Sequence, residues 1–175
     1  MIETSRLTMR PFAEADVQAA FRWFGDSAVM RFTPGGPNRS IAQTRARIAR
    51  YLSHQTTHGF SKWIIEERMS SLPVGDAGLL VLDEYGWIDL GFRLAPSHWG
   101  QGYATEAASA WVRAAFDEFL LARLGAFTHP ENLASIRVLE KLGFRRVRRD
   151  TVMGMESILF SLEKADFPTS TGPGQ

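Results

Sequence analysis

The chain has 175 residues, of which 45% are hydrophobic and 22% are charged, and its formal net charge is +1 at pH 7. This length suits one domain, and the hydrophobic fraction is large enough to build a core, so a mainly disordered chain is excluded. The absence of cysteine excludes disulfides, thiolate metal sites and an acyl-cysteine intermediate. The small net charge gives no overall electrostatic indication of nucleic-acid binding.

The sequence contains no apolar signal core at its N-terminus, and no uncharged apolar run approaches the ~18 residues that a membrane-spanning helix needs. We therefore expect a cytoplasmic protein that has no membrane partner. Residues 168–175 contain only Pro, Thr, Ser, Gly and Gln, a composition typical of a frayed end. The chain is predicted to form a single domain over residues 1–165, with a flexible C-terminal tail over residues 166–175.

The N-terminal third contains one predicted strand and two predicted helices. Residues 7–11 form the strand, and apolar residues at helical spacing over residues 17–24 predict the first helix, closed near Gly25. Trp23 lies off the apolar face of this helix, where it would form a pocket wall or a dimer surface. A capping box begins the second helix at Ser40, and Arg47 on its polar face is expected to be solvated.

The rest of the chain alternates between strand and helix patterns. Three strands are predicted first, joined in a meander, and then a long helix that follows Gly102. A short strand, a helix with Asn132 as its N-cap and Gly143 after its end, and two final strands complete the order. The predicted strands are residues 63–65, 72–82, 87–94, 126–128, 144–152 and 158–162. This order predicts a mixed α/β sheet with helices on both faces.

The most informative segment joins the third strand of the meander to the long helix. Gly100 and Gly102, separated by one residue, allow positive φ angles and a close approach of a ligand to the backbone. Amide groups of the first helical turn have no intrahelical acceptor, and the helix dipole adds positive potential there. The segment therefore predicts a pyrophosphate site, with Thr105 as a further hydroxyl donor. A glycine-rich connector without a ligand is the simpler alternative.

Three blocks of the sequence together resemble the GNAT acetyltransferase superfamily, and in particular its RimJ/RimL-type branch. The opening block, residues 4–11, is typical of that branch, and residues 129–144 resemble the last conserved helix of the superfamily. The central block is similar to the acetyl-coenzyme A loop; it reads Trp99-Gly100-Gln101-Gly102-Tyr103-Ala104-Thr105-Glu106-Ala107. The resemblance implies a GNAT fold, with a mixed, mostly antiparallel sheet of about six to seven strands and helices on both faces.

The resemblance also implies which residues bind acetyl-coenzyme A. Backbone amides of the loop would hold the pyrophosphate, the strand before it would pair with the pantetheine arm, and Asn132 would contact that arm from the next helix. The implied cofactor-binding residues are Phe92, Arg93, Leu94, Trp99, Gly100, Gln101, Gly102, Tyr103, Ala104, Thr105, Asn132 and Ser135. Trp99 stands where the superfamily carries Arg or Gln, so the expected contacts there are those of the backbone.

Ser135 and Asp89 are the predicted catalytic residues. Many GNAT enzymes protonate the sulfur with a Tyr at the position of Leu139; Ser135, one helical turn earlier, would replace it. The simpler role for Ser135 is helix capping. Asp89 occupies a position where related sequences often carry Glu; it would accept the amine proton or hold the substrate cation, and an arginine-paired surface carboxylate is the alternative. His129, Glu66 and Glu67 are further candidates for the base.

The predicted function is transfer of acetyl from acetyl-coenzyme A to a primary amine by direct attack in a ternary complex, with no metal. The acceptor would be a protein N-terminus or a small amine. Two other classes stay open: a non-catalytic acyl-coenzyme A binding module, and a nucleic-acid-associated protein that uses the basic residues 145–149. A solvated strand edge is the simpler role for that run, so no nucleic-acid partner is expected. The RimJ/RimL-type branch often dimerises, which makes a homodimer an expectation.

Overall fold

The computed structural model describes residues 1–167, which form a single sheet with helices on both faces. The predicted tail therefore lies, from residue 168 onward, outside the described residues. The strands are β1 Ile2–Glu3, β2 Leu7–Pro11, β3 Lys62–Glu67, β4 Pro73–Leu82, β5 Trp87–Leu94, β6 Arg123–Thr128, β7 Arg145–Val152 and β8 Met155–Glu163. The α-helices are α1 Val17–Phe24, α2 Ser27–Met30, α3 Ile41–His58, α4 Tyr103–Asp117 and α5 Leu133–Lys141.

The sheet has eight strands in the order β1-β2-β3-β4-β5-β6-β8-β7, and only the β5–β6 pair is parallel. The predicted fold class, a mixed and mostly antiparallel sheet, is confirmed. The additional strand is β1, whose two residues pair with β2 through Ile2–Met9 and Glu3–Thr8. A segment this short carries no alternating pattern, so only its pairing partner makes it recognisable.

Two apolar cores lie on opposite faces of the sheet. The larger core is built on α4 and includes Trp111 and Phe116, both almost completely buried. The smaller core lies beneath α1, α2 and α3 and is centred on aromatic residues, among them Phe24 and Tyr51. Strand β5 contributes to both faces because successive side chains alternate: Leu90 belongs to the α4 core, whereas Arg93 reaches Tyr51 of α3.

Trp23 corrects one expectation. It is fully buried in the smaller core, and its indole Nε1 donates a hydrogen bond of 2.9 Å to Asp76 on β4. It therefore forms neither a pocket wall nor a dimer surface. The helical period places Trp23 off the apolar stripe, but the buried carboxylate that receives its N–H is 53 residues away in sequence, where local periodicity gives no information.

The basic run of residues 145–149 lies on β7, an edge strand of the sheet. Its arginines each lie within 4 Å of a carboxylate, in the pairs Arg145–Asp166, Arg146–Glu140, Arg148–Asp150 and Arg149–Glu156. Such exposed pairs contribute little to stability, but they neutralise much of the local positive charge. The run thus lies on an exposed strand edge, the simpler role that the sequence suggested for it. Among the described helices, none combines the length and apolar character needed to cross a membrane.

Candidate active site

The site is organised by the divergence of the two parallel strands. Strands β5 and β6 pair at a single position, Asp89 with Gly125, near the beginning of both strands. Beyond it, toward Leu94, β5 is paired with β4 on one edge only, within the described residues. The other edge therefore offers unpaired backbone donors and acceptors, which an extended chain of amides, such as pantetheine, could bind like an added strand.

The predicted phosphate loop follows β5 directly and has the expected backbone geometry. Gly100 and Gly102 adopt φ angles of +73° and +82°, in the left-handed region, and Gly102 is the N-cap of α4. A Cβ atom at Gly102 would lie 3.4 Å from Nη2 of Arg6 and would have the strained backbone of a left-handed L-residue. The loop thus presents the first amides of a 15-residue helix in a form that suits a pyrophosphate.

The N-terminal segment fixes the first turn of α4. Glu106 Oε1 accepts hydrogen bonds from the Thr4 hydroxyl at 2.6 Å, the Ser5 hydroxyl at 3.1 Å and the Arg6 amide at 2.9 Å, while its Oε2 pairs with the Arg6 guanidinium. Although burial acts in the opposite direction, these hydrogen bonds lower the pKa of Glu106. Arg6 also donates to the carbonyl of Gln101 at 2.9 Å. The opening block therefore supports the loop, a role that the sequence pattern alone does not reveal.

Trp99 and Leu94 are linked in the turn between β5 and the loop. The Trp99 indole Nε1 donates to the Leu94 carbonyl at 2.8 Å, and the ring is about half exposed (49%). The Leu94 carbonyl is therefore already engaged, which leaves the Trp99 ring face and the backbone before Leu94 as the accessible surfaces. Gln101 points away from the cleft: its side-chain amide donates to the Ser97 carbonyl at 2.9 Å.

A cleft of about 880 Å³ runs from the loop, between the diverging strands, to the face that carries α1, α2 and α3. It brings together both predicted catalytic residues and all the predicted cofactor-binding residues except Gln101. The cleft also contains residues that the sequence analysis did not assign to the site, namely Arg31, Phe32, Arg47, Tyr51, Lys62 and Arg137. The role of each predicted residue remains a prediction, but their proximity is a property of the fold.

Asp89 is buried, with 7% of its surface exposed, and it lines the cleft. Its Oδ1 atom is fully buried and has no hydrogen-bond partner within the described chain. Burial raises the pKa of this carboxyl group well above its usual range, and the Lys62 ammonium only partly opposes this effect. The alternative of an arginine-paired surface carboxylate is therefore wrong. A carboxylate with a raised pKa and a free oxygen is suited to accept a proton.

Lys62 was missed by the sequence analysis because it begins a buried strand and matches no motif. It pairs in register with Gly78 of β4, which in turn pairs with Gly91 of β5. The side chain crosses this row of glycines: its Nζ donates to the Gly78 carbonyl at 2.7 Å, and a Cβ at Gly91 would lie 2.5 Å from it. Burial lowers the pKa of Lys62, with Asp89 acting in the opposite direction.

A second buried polar group lies beside this row. Asp76, which is fully buried, accepts hydrogen bonds from Arg93 Nε at 3.0 Å and Arg93 Nη2 at 2.6 Å, as well as from Trp23. Arg93 Nη2 also donates to the Tyr51 hydroxyl at 2.9 Å. The Arg93 side chain is thus held by its own counterion, and the implied role of Arg93 toward the cofactor is limited to its backbone.

The opposite wall of the cleft is the beginning of α5. Asn132 caps the helix through its Oδ1, which accepts from the Ser135 amide at 3.3 Å. The capping role proposed as the simpler alternative for Ser135 thus belongs to Asn132, and the half-buried Ser135 hydroxyl has no partner in the described chain. Leu139, one turn later, is buried and lines the cleft, where it supplies no proton.

The other candidates for the base have structural partners and do not line the cleft. Glu66 pairs with Arg10 at 2.6 Å, and Glu67 accepts from the Tyr103 hydroxyl at 2.6 Å. His129 stacks on Phe32, with ring centroids 5.1 Å apart. Next to this stack, Arg31 pairs with Glu131 at 3.3 Å, so the segment after α2 is in contact with the segment before α5.

In the described part of the chain, no group of three or more His, Cys, Asp or Glu residues could hold a metal ion.

Comparisons with known proteins show which class of enzyme has this fold. The profile of the family described as Acetyltransferase (GNAT) domain matches residues 6–145. The uncharacterized N-acetyltransferase YoaA of Bacillus subtilis is 31% identical over 148 residues, which cover 83% of each chain. The crystal structure of an acetyltransferase of the GNAT family from Bacillus anthracis aligns with a TM-score of 0.82 at 25% identity, covering 94% of this chain and 98% of that one.

AAC(6')-Ib, solved in complex with ribostamycin and coenzyme A, aligns with a TM-score of 0.79 at 20% identity, covering 96% of this chain and 99% of that one; this likeness shows the shared fold. The chain belongs to the GNAT acetyltransferase family. It is an acetyl-coenzyme A-dependent acetyltransferase, which confirms the prediction that it is an enzyme of this class.

Proposed function

We propose that this protein transfers the acetyl group of acetyl-coenzyme A to a primary amine by direct attack in a ternary complex, with Asp89 as general base. The observation that carries the proposal is the cleft itself. It joins a left-handed glycine loop at the N-terminus of α4 to a buried carboxylate that has a free oxygen. The donor and proton acceptor that an acyl transfer requires would thus meet in one continuous space.

The residues of the chain fit acetyl-coenzyme A along the cleft. Amides of the loop and the first turn of α4 would hold the pyrophosphate, and the free edge of β5 would bind the pantetheine amides. Asn132, whose side-chain amide nitrogen makes no hydrogen bond in the described chain, would contact the same arm. When bound, acetyl-coenzyme A supplies the acetyl group as a thioester.

Asp89 and Ser135 divide the proton transfers between the two walls. A protonated primary amine must lose a proton to become a nucleophile, and the free Oδ1 of Asp89 would accept that proton, directly or through water. The hydroxyl of Ser135 lies on the facing helix and would donate a proton or a hydrogen bond to the sulfur as it leaves. Because the chain has no cysteine, it cannot form an acyl-cysteine intermediate, and direct attack of the amine on the thioester is the simplest route.

We further propose that the protein is cytoplasmic, belongs to the RimJ/RimL-type branch and forms a homodimer. The hydrogen bonds of Thr4 and Arg6 to Glu106 support the assignment to this branch. They connect residues 4–11, the block that is typical of the branch, to the first turn of α4 and so hold the loop in position. Size-exclusion chromatography with light scattering, read at several protein concentrations, would test the dimer.

The test of the function is release of coenzyme A, measured with a thiol reagent over a panel of primary amines and N-terminal peptides. The absence of cysteine means that the protein itself adds no background to this assay. We expect acetyl-coenzyme A to raise the melting temperature and at least one class of amine to support turnover. Stabilisation by acetyl-coenzyme A without turnover on any acceptor would instead favour the non-catalytic binding module.

Replacing Ser135 with alanine tests the role of its hydroxyl. We expect Ser135→Ala to lower kcat by roughly 10²-fold with little change in the affinity for coenzyme A, because it removes a proton donor used only as sulfur leaves. Ser53→Ala, an exposed serine on α3 outside the cleft, is the matched control. Steady-state kinetics and calorimetric binding of coenzyme A would separate the two quantities, and an unchanged kcat would refute the assignment.

A further inference from the structure

The acceptor end of the cleft carries an unusual balance of charge. The side chains of Asp89 and Arg93 lie on the face of β5 that carries α1, α2 and α3, whereas the phosphate loop begins α4 on the other face. An acceptor that approaches from the α1–α3 side would therefore reach Asp89 at the base of the cleft, beneath Arg47 and Tyr51 of α3. We call this half of the cleft, lined by Arg47, Tyr51, Lys62, Asp89 and Arg93, the acceptor pocket.

Most charges in this pocket are already balanced. Arg93 is held by Asp76 at 2.6 Å, and the buried Lys62 and Asp89 are of opposite sign. Among residues 1–167, the carboxylates that line the cleft are those of Asp89 and Glu131, and Glu131 is paired with Arg31. A polycationic acceptor would therefore meet Arg47, Lys62 and Arg93 around a single carboxylate, Asp89, which does not suit it.

Arg47 is the exception to this balance. Within residues 1–167 it pairs with no carboxylate; its Nη2 donates to the side-chain oxygen of Asn38 at 3.1 Å. Its Nε atom is fully buried and has no hydrogen-bond partner, although the residue lines the cleft. Leaving a charged donor desolvated and unpaired is costly, so the site is incomplete in the free protein. The expectation that Arg47 lies on a solvated surface is wrong.

The neighbours of Arg47 fix its guanidinium and add a second donor. Arg47 and Arg93 both lie over the ring of Phe24, at 5.1 and 4.9 Å from its centroid. Tyr51 follows Arg47 by four residues on α3, and its hydroxyl accepts from Arg93. The hydroxyl proton of Tyr51 makes no hydrogen bond in the described chain. Within residues 1–167, Arg47 Nε and the Tyr51 hydroxyl proton therefore remain donors without an acceptor, on a rigid aromatic support.

Because a planar guanidinium matches the geometry of a carboxylate, we propose that the acceptor is a small primary amine that carries its own carboxylate, such as an amino acid. Arg47, assisted by Tyr51, binds the carboxylate, while the amine is directed to Asp89. This inference rests on the proposed function, since it names the acceptor class of the same site. It favours a free amino acid over an aminoglycoside or a protein N-terminus, whose α-carboxyl group is consumed in a peptide bond.

Matched acceptors provide the first arm of the test. Coenzyme A release is compared for leucine, leucinamide and 3-methylbutylamine, which differ in the presence of a carboxylate. A second comparison, of glutamate with 4-aminobutyrate, varies the distance between the carboxylate and the amine. We expect kcat/KM for the preferred amino acid to exceed that of its amide and its decarboxylated amine by at least about tenfold, the factor for one good charge-assisted contact. Equal kcat/KM for leucine, leucinamide and 3-methylbutylamine would overturn the inference while leaving the acetyltransferase function intact.

Variants provide the second arm. Arg47→Gln is expected to raise KM for the amino acid about tenfold or more and to leave KM for acetyl-coenzyme A unchanged, and it should abolish the preference for the carboxylate. Arg50→Gln removes the same charge from the same helix at an exposed position outside the cleft, and should behave as wild type. An undiminished carboxylate preference in Arg47→Gln would overturn the assignment of Arg47.

A binding arm keeps the inference testable without turnover. The melting temperature of the coenzyme A complex is measured with each acceptor, for wild type and for Arg47→Gln. We expect amino acids, but not their amides or decarboxylated amines, to stabilise the wild-type complex, and we expect this stabilisation to be lost in Arg47→Gln. That result would support the carboxylate site even if no acetyl transfer were detected. In that case only the proposed function would fail. Equal effects of an amino acid and its amide would overturn the inference. Arg47→Gln retains a polar side chain at a half-buried position, so we expect the variant to fold. Its melting temperature without ligand would report any loss of stability.

Discussion

Replacing Asp89 with asparagine is expected to lower kcat by about 10² to 10⁴-fold, the contribution usual for a general base, while acetyl-coenzyme A still binds. The substitution preserves the size of the side chain and removes its ability to take a proton, together with the negative charge opposite Lys62. Asp83→Asn, in the exposed turn between β4 and β5 and outside the cleft, is the matched control. Retention of most of the wild-type kcat would refute Asp89 as the base.

The pH dependence follows from the direction of the pKa shift. Asp89 must be ionised to accept a proton, so the rate rises with pH through its pKa, which burial raises. The same shift affects folding. Ionised Asp89 is disfavoured in the folded protein, so its contribution to the free energy of unfolding falls as the pH rises from the ordinary carboxyl range through the raised pKa; Asp89→Asn should therefore become more stable relative to wild type over that range. Activity and melting temperature recorded across the same pH series would test both.

Lys62 is expected to influence the pH at which the rate of acetyl transfer rises. Its ammonium partly opposes the effect of burial on Asp89, so Lys62→Met should raise the pKa of Asp89 further and move the rising limb of the pH–rate profile to higher pH. Arg93 acts on Asp89 in the same direction as Lys62, more weakly, and is already paired with Asp76. A merely structural Lys62 would change the melting temperature but leave the pH–rate profile in place.

Replacing Gly102 with valine is expected to weaken the binding of coenzyme A by about 100-fold or more, equal to roughly 3 kcal/mol. Gly102 has a φ angle of +82°, and a branched side chain there would be strained and would stand at the entrance to the first turn of α4. Calorimetric titration with coenzyme A measures the loss directly.

The control for this variant is a glycine with the same backbone. Gly59 ends α3 with a φ angle of +80° and open space around its Cβ position, outside the cleft. Gly59→Val should carry a comparable strain penalty in melting temperature and yet bind coenzyme A normally. If both variants bound normally, or both lost binding in proportion to unfolding, the assignment of the loop would be wrong.

The sequence alone was sufficient for the features that depend on neighbouring residues. The strand ended by Pro11, the helices closed by Gly25 and Gly143, and the loop of Gly100 and Gly102 are local signals, because capping, turns and positive φ angles are decided within a few residues. Alternation and helical spacing likewise gave the mixed sheet and its flanking helices. The predicted position of the cofactor loop and the class of enzyme came instead from the resemblance of three sequence blocks to the GNAT superfamily.

Only the tertiary structure decided which side chains share the cleft and what state they are in. Lys62, Asp76 and Arg47 match no motif, and Trp23 lay off the expected apolar face, because their partners are brought near by strand pairing and helix packing across long stretches of chain. The raised pKa of Asp89 has the same origin, since desolvation depends on everything packed around a group. The net charge of +1 is a sum over the whole chain and does not show how charges are distributed. The tertiary structure places several of them in one pocket, and the acceptor that we propose is inferred from these local charges.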